Sequence, residues 1–220
     1  MQFANRISAG RALAKKLQTY ANRPEVIVLA LPRGGVPVAY EVAHALNAPL
    51  DVFLVRKLGV PGLEELAMGA IATGGVRVLN EPLIADLGIR HQWIDLIAAR
   101  EQGELERREQ VYRGESPPLS VSGRTVILVD DGLATGSTMR AAVTALKNLL
   151  PAKIIVASPV AAREACKSFE TDGDANCVCV ISPEPFYGVG RWYRDFPQTT
   201  DREVCYLLKH ARQPSHKRVA

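Results

Sequence analysis

Apolar runs short enough to be strands alternate along this chain with stretches that repeat at the helical period. The runs are VIVLAL (26–31), DVFLVRKL (51–58), VRVLN (76–80), TVILVD (125–130), KIIVASPV (153–160) and NCVCVIS (176–182). Helix-like patterns separate them: PVAYEVAHAL (37–46), HQWIDLIAAREQGELERREQVY (91–112), STMRAAVTALKNLL (137–150) and AAREACKSF (161–169). A strand that is apolar throughout is covered on both faces, and an intervening helix carries the chain back to start a parallel neighbour. The expected fold is therefore a doubly wound α/β domain, a mostly parallel sheet with helices on both faces. Its ligands should bind where strand C-termini meet helix N-termini. RGESPPLSVSGR (113–124) is linker-like and should lead from the long charged helix into the central strand.

At 220 residues, with 47% hydrophobic and 23% charged residues, the chain can bury a substantial core as a single domain, 1–220. Its longest apolar stretches are strand-sized, well short of the about 20 residues a membrane helix needs, so no membrane partner is expected. MQFANRISAGRALAKKL spaces Phe3, Ile7, Leu13 and Leu17 near the helical period with charges between, an amphipathic helix rather than a signal peptide. Cys166, Cys177, Cys179 and Cys205 form no C-x-x-C pair and are expected as buried thiols of a reducing cytoplasm, not zinc ligands or disulfides. A net charge of +4, with no dense basic run before the tail HARQPSHKRVA, does not indicate nucleic acid and suits an anionic small molecule.

The chemistry is concentrated in VILVDDGLATGST (126–138): strand, two carboxylates, then a turn of small and hydroxylated residues opening a helix. Unpaired amides at a helix N-terminus carry partial positive charge and favour a phosphate there. Thr135, Ser137 and Thr138 add hydroxyls, and Gly136 allows close approach of the backbone. The pattern is not a P-loop, because G-x-x-x-x-G-K-[ST] is absent. Asp130 and Asp131 would repel a phosphate beside them unless a sugar with vicinal hydroxyls and a magnesium ion lay between.

This run resembles the phosphoribosyl pyrophosphate (PRPP) signature of the type I phosphoribosyltransferases, most closely that of the adenine enzymes, and the resemblance extends over roughly 25–185. It implies that Asp130 and Asp131 hold the ribose 2′ and 3′ hydroxyls while Ala134, Thr135, Gly136, Ser137 and Thr138 cradle the 5′-phosphate. LALPRGGVPVAYEV resembles the family's pyrophosphate loop, often built on a strained or cis peptide, and so assigns Arg33, Gly34 and Gly35 to pyrophosphate. VRKLGVPGLEELAMGAIATGG is similar to the start of the mobile loop, here about 58–75, and adds Arg56 and Lys57 as catalytic and pyrophosphate-binding cations. EPFYGVGRWYRDFPQTTDREV (184–204) resembles the small C-terminal hood of the hypoxanthine enzymes, with Phe186, Tyr187 and Trp192, alongside Tyr193, as candidates to stack on the base. The adenine enzymes build their hood from the N-terminus instead, so the chain does not follow one subfamily throughout.

The resemblance implies transfer of the 5-phosphoribosyl group of PRPP to a nitrogenous base, a purine or related heterocycle, with release of pyrophosphate. A transition state of oxocarbenium character calls for positioning and charge stabilisation more than for a nucleophile. Mg2+ should be held mainly by PRPP, with Asp130 or Asp131 as a candidate ligand through water, because this ion takes few protein ligands. Hypoxanthine-type enzymes carry an aspartate immediately before T-G; here Ala134 can neither accept nor donate a proton. The adenine enzymes also have Ala there and place a loop glutamate near the base, which makes Glu65, chosen over Glu64, the catalytic acid–base candidate. A cytoplasmic homodimer in nucleotide salvage is expected. Two alternatives stand beside this reading: a PRPP-binding regulator without transferase activity, and a ribose-phosphate pyrophosphokinase-like enzyme.

Overall fold

The computed structural model describes residues 2–173 and 175–212, apart from the side chains of Glu65 and Arg212. In chain order the strands are β1 (Val26–Ala30), β2 (Leu50–Val52), β3 (Val55–Val60), β4 (Leu63–Ala72), β5 (Val76–Leu79), β6 (Thr125–Val129), β7 (Lys153–Val160) and β8 (Asn176–Ile181). The helices are α1 (Arg6–Lys16), α2 (Gly35–Leu46), α3 (Glu81–Asp86), α4 (His91–Arg113), α5 (Ser137–Lys147), α6 (Arg163–Thr171) and α7 (Asp201–Arg212). The tail beyond residue 212 lies outside the described residues.

Five strands form a parallel sheet in the order β2-β1-β6-β7-β8. Side-chain alternation divides them between two cores. Val26, Val28, Ala30, Ile127, Val129 and Ile155 pack toward α1, α2, α4 and α7, whereas Ile27, Leu29, Val126, Leu128 and Val156 pack toward α5 and α6. Each large side chain fully buried in this way contributes about 1.5–3 kcal/mol, so the all-apolar strands require helices on both faces. The doubly wound reading is borne out.

Two of the six runs read as strands do not join this sheet as whole units. The run 51–58 breaks after β2, and β3 leaves to pair antiparallel with β4, which pairs in turn with β5, the run expected at 76–80. Thr73 fixes the break: its buried hydroxyl accepts from the Leu54 amide at 2.9 Å, and its own amide donates to the Leu54 carbonyl at 2.9 Å. Apolar character cannot reveal which sheet a strand enters. The partial exposure along β3 belongs to an edge strand of a second, smaller sheet. The stretch expected as a loop over 58–75 is thus mostly a β3–β4 hairpin, packed against α4 and α5.

The linker expected at 113–124 is anchored by a buried ion pair. Arg113 Nε donates to Asp51 Oδ2 at 3.0 Å, both side chains being at most 3% exposed, and the Leu119 amide donates to the same carboxylate at 3.2 Å. The cysteine expectation is corrected: Cys166 of α6 and Cys177 of β8 form a disulfide with Cα atoms 5.6 Å apart, while Cys179 and Cys205 are free thiols but only partly buried. The helix-to-strand return lays α6 against β8 and brings together two residues 11 apart, a pairing that spacing alone does not signal.

Removing one partner of a buried pair leaves an uncompensated charge, which costs about 3–5 kcal/mol. Arg113→Met should therefore lower the urea unfolding free energy by roughly that amount. The double variant Asp51→Asn/Arg113→Met should lose much less, and equal losses in the two variants would show that Arg113 matters for its packing alone.

Candidate active site

From β1 the chain runs outward to β2, whereas from β6 it runs the other way to β7, so the crevice between the C-terminal ends of β1 and β6 is the topological switch point. Two turns meet there: 31–35, which opens α2, and 130–136, which opens α5. They touch directly. A Cβ on Gly34 would overlap the Asp131 carboxylate, and one on Gly35 would lie 2.7 Å from the Val129 carbonyl oxygen and 3.0 Å from Asp130 Cα. Only glycine fits at these two positions. The Pro32–Arg33 peptide is cis, the feature that the resemblance associated with the pyrophosphate loop. At the start of α2 the Gly35 and Val36 amides donate to the Leu31 and Arg33 carbonyls and Pro37 has no N–H, whereas at the start of α5 the Ser137 amide makes only a long 3.4 Å contact to the Thr135 hydroxyl. The positive ends of both helix dipoles lie at these two turns.

Asp130 and Asp131 sit side by side at the end of β6. The Asp131 amide donates to Asp130 Oδ1 at 2.8 Å. Burial raises the Asp130 pKa well above the ordinary carboxylate value, and the neighbouring Asp131 charge raises it further. Burial also raises that of Asp131, with Arg6 opposing: Arg6 Nε donates to Asp131 Oδ2 at 2.8 Å. Tyr193 donates its hydroxyl to the Asp131 carbonyl at 2.6 Å, and its pKa is driven up by burial and by the Asp131 charge.

Beyond the carboxylates, Ala134, Thr135, Ser137 and Thr138 are exposed on the rim of the second turn. Gly136 has φ +71°, a conformation that favours glycine, and rests on Ala165 and Phe169 of α6. Arg33, in the first turn, is half-exposed and reaches Asp201 of α7 at 3.8 Å; Asp201 also accepts the Tyr112 hydroxyl at 2.6 Å.

The other cations expected in the site are placed elsewhere. Arg56 Nε donates to Glu101 of α4 at 2.8 Å, and Arg56 and Lys57 line a cleft of about 340 Å³ between the hairpin and α4. Glu64 lines the same cleft. The backbone of Glu65 lies in β4, and its side chain falls outside the described residues.

The hood expected at 184–204 ends where α7 begins at Asp201. Val189 fills the space over Gly132, setting this segment directly on the Asp turn. Of the three stacking candidates, Phe186 is partly buried between two apolar clusters and Tyr187 is 72% exposed. Trp192 packs beside Phe3, Val160 and Tyr193, with its indole N–H buried and unpartnered among the described residues. Sequence reasoning missed Arg6. Its one local sign is the capping box of Asn5 and Ser8, which makes Arg6 the first residue of α1.

The fold and this crevice define a doubly wound α/β domain with two helix N-termini meeting at its switch point, and comparison with known proteins identifies its class. The phosphoribosyl transferase domain family matches residues 3–191, and the chain belongs to that family. Rv0571c of Mycobacterium tuberculosis, named among the phosphoribosyl transferases, is 42% identical over 209 residues, 95% of this chain and 47% of its own length. The chain thus spans about half the length of that relative. The bifunctional protein PyrR of Chloroflexus aurantiacus is 33% identical over 128 residues, 57% of this chain and 64% of that protein. The crystal structure of TT1426 from Thermus thermophilus superposes with a TM-score of 0.86 at 40% identity, covering 96% of this chain and 99% of that one.

The raised pKa of Asp130 fixes the sign of a stability effect. Native Asp130 keeps its proton above the ordinary value of about 3.9, at which the unfolded chain releases it. Its contribution is therefore full below that value and is lost as pH rises through the native pKa. Asp130→Asn should raise the Tm of the ligand-free protein at pH 7, by about 2–4 °C for each 1 kcal/mol relieved in a chain of this size. The gain should shrink toward pH 4. A variant no more stable than wild type at pH 7 would show that the carboxylate is not electrostatically frustrated.

Proposed function

We propose that this chain transfers the 5-phosphoribosyl group of PRPP to a ring nitrogen of a heterocyclic base, a purine or related compound, and releases pyrophosphate. The observation that carries the reading is the abutment of the two turns: a half-buried carboxylate pair between the N-termini of α2 and α5, at the switch point of the sheet. Asp130 and Asp131 take the ribose 2′ and 3′ hydroxyls, and hydroxyl donors suit carboxylates that burial has left short of partners. The turn 134–138 takes the 5′-phosphate on amides and the hydroxyls of Thr135, Ser137 and Thr138. Arg33, Gly34 and Gly35 take the pyrophosphate at the N-terminus of α2. This arrangement stabilises charge separation at C1 without a protein nucleophile.

The donors around the crevice fit Mg2+ carried by its substrate. Asp130 and Asp131 are hard oxygen ligands, suited to this ion directly or through water but too few to cage it. When bound, Mg2+ neutralises charge on the departing pyrophosphate. Arg56 and Lys57 lie on the hairpin, and in this reading they reach the pyrophosphate when the hairpin closes over the crevice and excludes water. Glu65, near the hairpin tip, is the proposed proton-transfer group, since Ala134 has no titratable side chain. No described helix is long and apolar enough to cross a membrane, and a cytoplasmic homodimer acting in nucleotide salvage completes the proposal. The engagement of Arg56 by Glu101 favours a second reading, a PRPP-binding regulator in which the hairpin does not close.

A pyrophosphate-release screen with PRPP, Mg2+ and a panel of bases separates the two readings. Turnover with one base supports the transferase, whereas PRPP binding without turnover on any base supports the regulator. Asp130→Asn/Asp131→Asn should weaken magnesium-PRPP binding by roughly 1.5–3 kcal/mol per lost charged hydrogen bond and leave inorganic phosphate binding nearly intact by calorimetry. Equal weakening of both ligands would indicate a collapsed turn. Glu65→Gln should lower turnover about 10²–10⁴-fold at nearly unchanged PRPP affinity, and near-normal turnover would remove Glu65 from the mechanism.

A further inference from the structure

Arg6 belongs to a closed circuit of contacts that begins and ends on Asp131. Its Nε donates to Asp131 Oδ2 at 2.8 Å, its Nη1 donates to the Pro197 carbonyl at 2.6 Å, and its guanidinium lies 3.8 Å from the centroid of the Phe196 ring. Phe196 stacks on Tyr193 at 4.7 Å, and the Tyr193 hydroxyl donates to the Asp131 carbonyl at 2.6 Å. Side chain and backbone of one carboxylate residue are thereby held by a single cluster. The Arg6 side chain is only 11% exposed, and the Asn5–Ser8 capping box fixes the helix start that carries it.

The cluster also ties the carboxylate to the hood. The Phe3 amide donates to the Trp192 carbonyl at 2.8 Å, and the Arg194 and Asp195 amides donate to the Phe3 and Ala4 carbonyls at 2.9 and 3.0 Å. The segment that leads into α1 is therefore paired with the hood, and Arg6 is the first helical residue beyond that pairing. Planarity matters here, because one guanidinium donates to two acceptors while stacking on a ring, which an ammonium cannot do.

We infer that Arg6 is a positioning residue for sugar recognition. It occupies Asp131 Oδ2, leaves Oδ1 facing a ribose hydroxyl, and couples the orientation of that carboxylate to the hood that covers the acceptor. The inference rests on the PRPP reading of the site. It assigns Arg6 an effect on the sugar part of the ligand, exerted through Asp131, and none on the phosphate turn, which belongs to α5.

A double-mutant cycle tests it, with calorimetric binding of magnesium-PRPP and of inorganic phosphate to the full chain. Arg6→Gln should weaken magnesium-PRPP roughly 10- to 100-fold, the scale of one lost hydrogen bond to a charged group, with phosphate affinity held within about twofold. Arg6→Lys should recover part of the loss. In the Asp131→Asn background, Arg6→Gln should add little, because the group through which it acts is gone. Independent, multiplying losses overturn the inference, as does parallel loss of phosphate binding, which would make Arg6 a staple of the fold alone. Wild-type protein that fails to bind magnesium-PRPP overturns the transferase reading and this inference with it. Full affinity in Arg6→Gln overturns only the inference.

Discussion

Two carboxylates held side by side in a partly buried crevice set the terms for the surrounding structure. Burial raises the pKa of both Asp130 and Asp131, and the Asp131 charge makes ionisation of Asp130 harder still. The surroundings supply compensation within a few ångströms. Arg6 pairs with Asp131, and the Asp131 amide satisfies one oxygen of Asp130. The N-termini of α2 and α5 add positive partial charge at the crevice. None of this removes the frustration entirely, as the upward shift of both groups shows. A carboxylate short of partners in the free protein is one open to hydroxyl donors, so under the proposed function the same electrostatics that destabilise the fold would favour a sugar ligand.

The glycines explain why this crevice is so tight. Gly34 and Gly35 bring the first turn into contact with the Asp turn, and neither tolerates a Cβ. Such closeness places two anion-favouring helix ends on either side of the Asp pair. The hood closes a further side, with Val189 on Gly132 and the Tyr193 hydroxyl on Asp131. Tyr187 stands largely exposed while Trp192 is committed to packing. Of the aromatic residues proposed for stacking, Tyr187 therefore has the freer ring.

How much of this was legible in the sequence depends on how far apart the cooperating residues stand. Strand, carboxylates, turn and helix start all lie within 126–138, and the structure keeps that order without interruption. The turn at 31–35 was legible for the same reason. Arg6 was not, because it lies 125 residues from Asp131 and only folding brings them together. Asp51 and Arg113, 62 residues apart, were equally silent, and so was the pairing of Cys166 with Cys177. The runs 51–58 and 76–80 were correctly read as extended, yet their sheet is decided by a nonlocal exchange between Leu54 and Thr73. Local pattern specifies the element, and contacts distant in sequence specify its partner.

Arg56 illustrates how such distant contacts bear on function. Its partner Glu101 is also engaged by Arg100, whose Nε and Nη2 donate at 3.1 and 2.9 Å to the oxygen that Arg56 leaves free. Were Arg56 to move with the hairpin toward a pyrophosphate, the buried carboxylate of Glu101 would keep a guanidinium. The full cost of an abandoned buried charge, about 3–5 kcal/mol when a buried partner is removed, would not arise. The exchange would trade one guanidinium–carboxylate contact for one with a more highly charged anion. An arginine parked on a doubly served glutamate is therefore compatible with a hairpin that closes only when its ligand is bound, and the pairing at Glu101 does not by itself lock the site open.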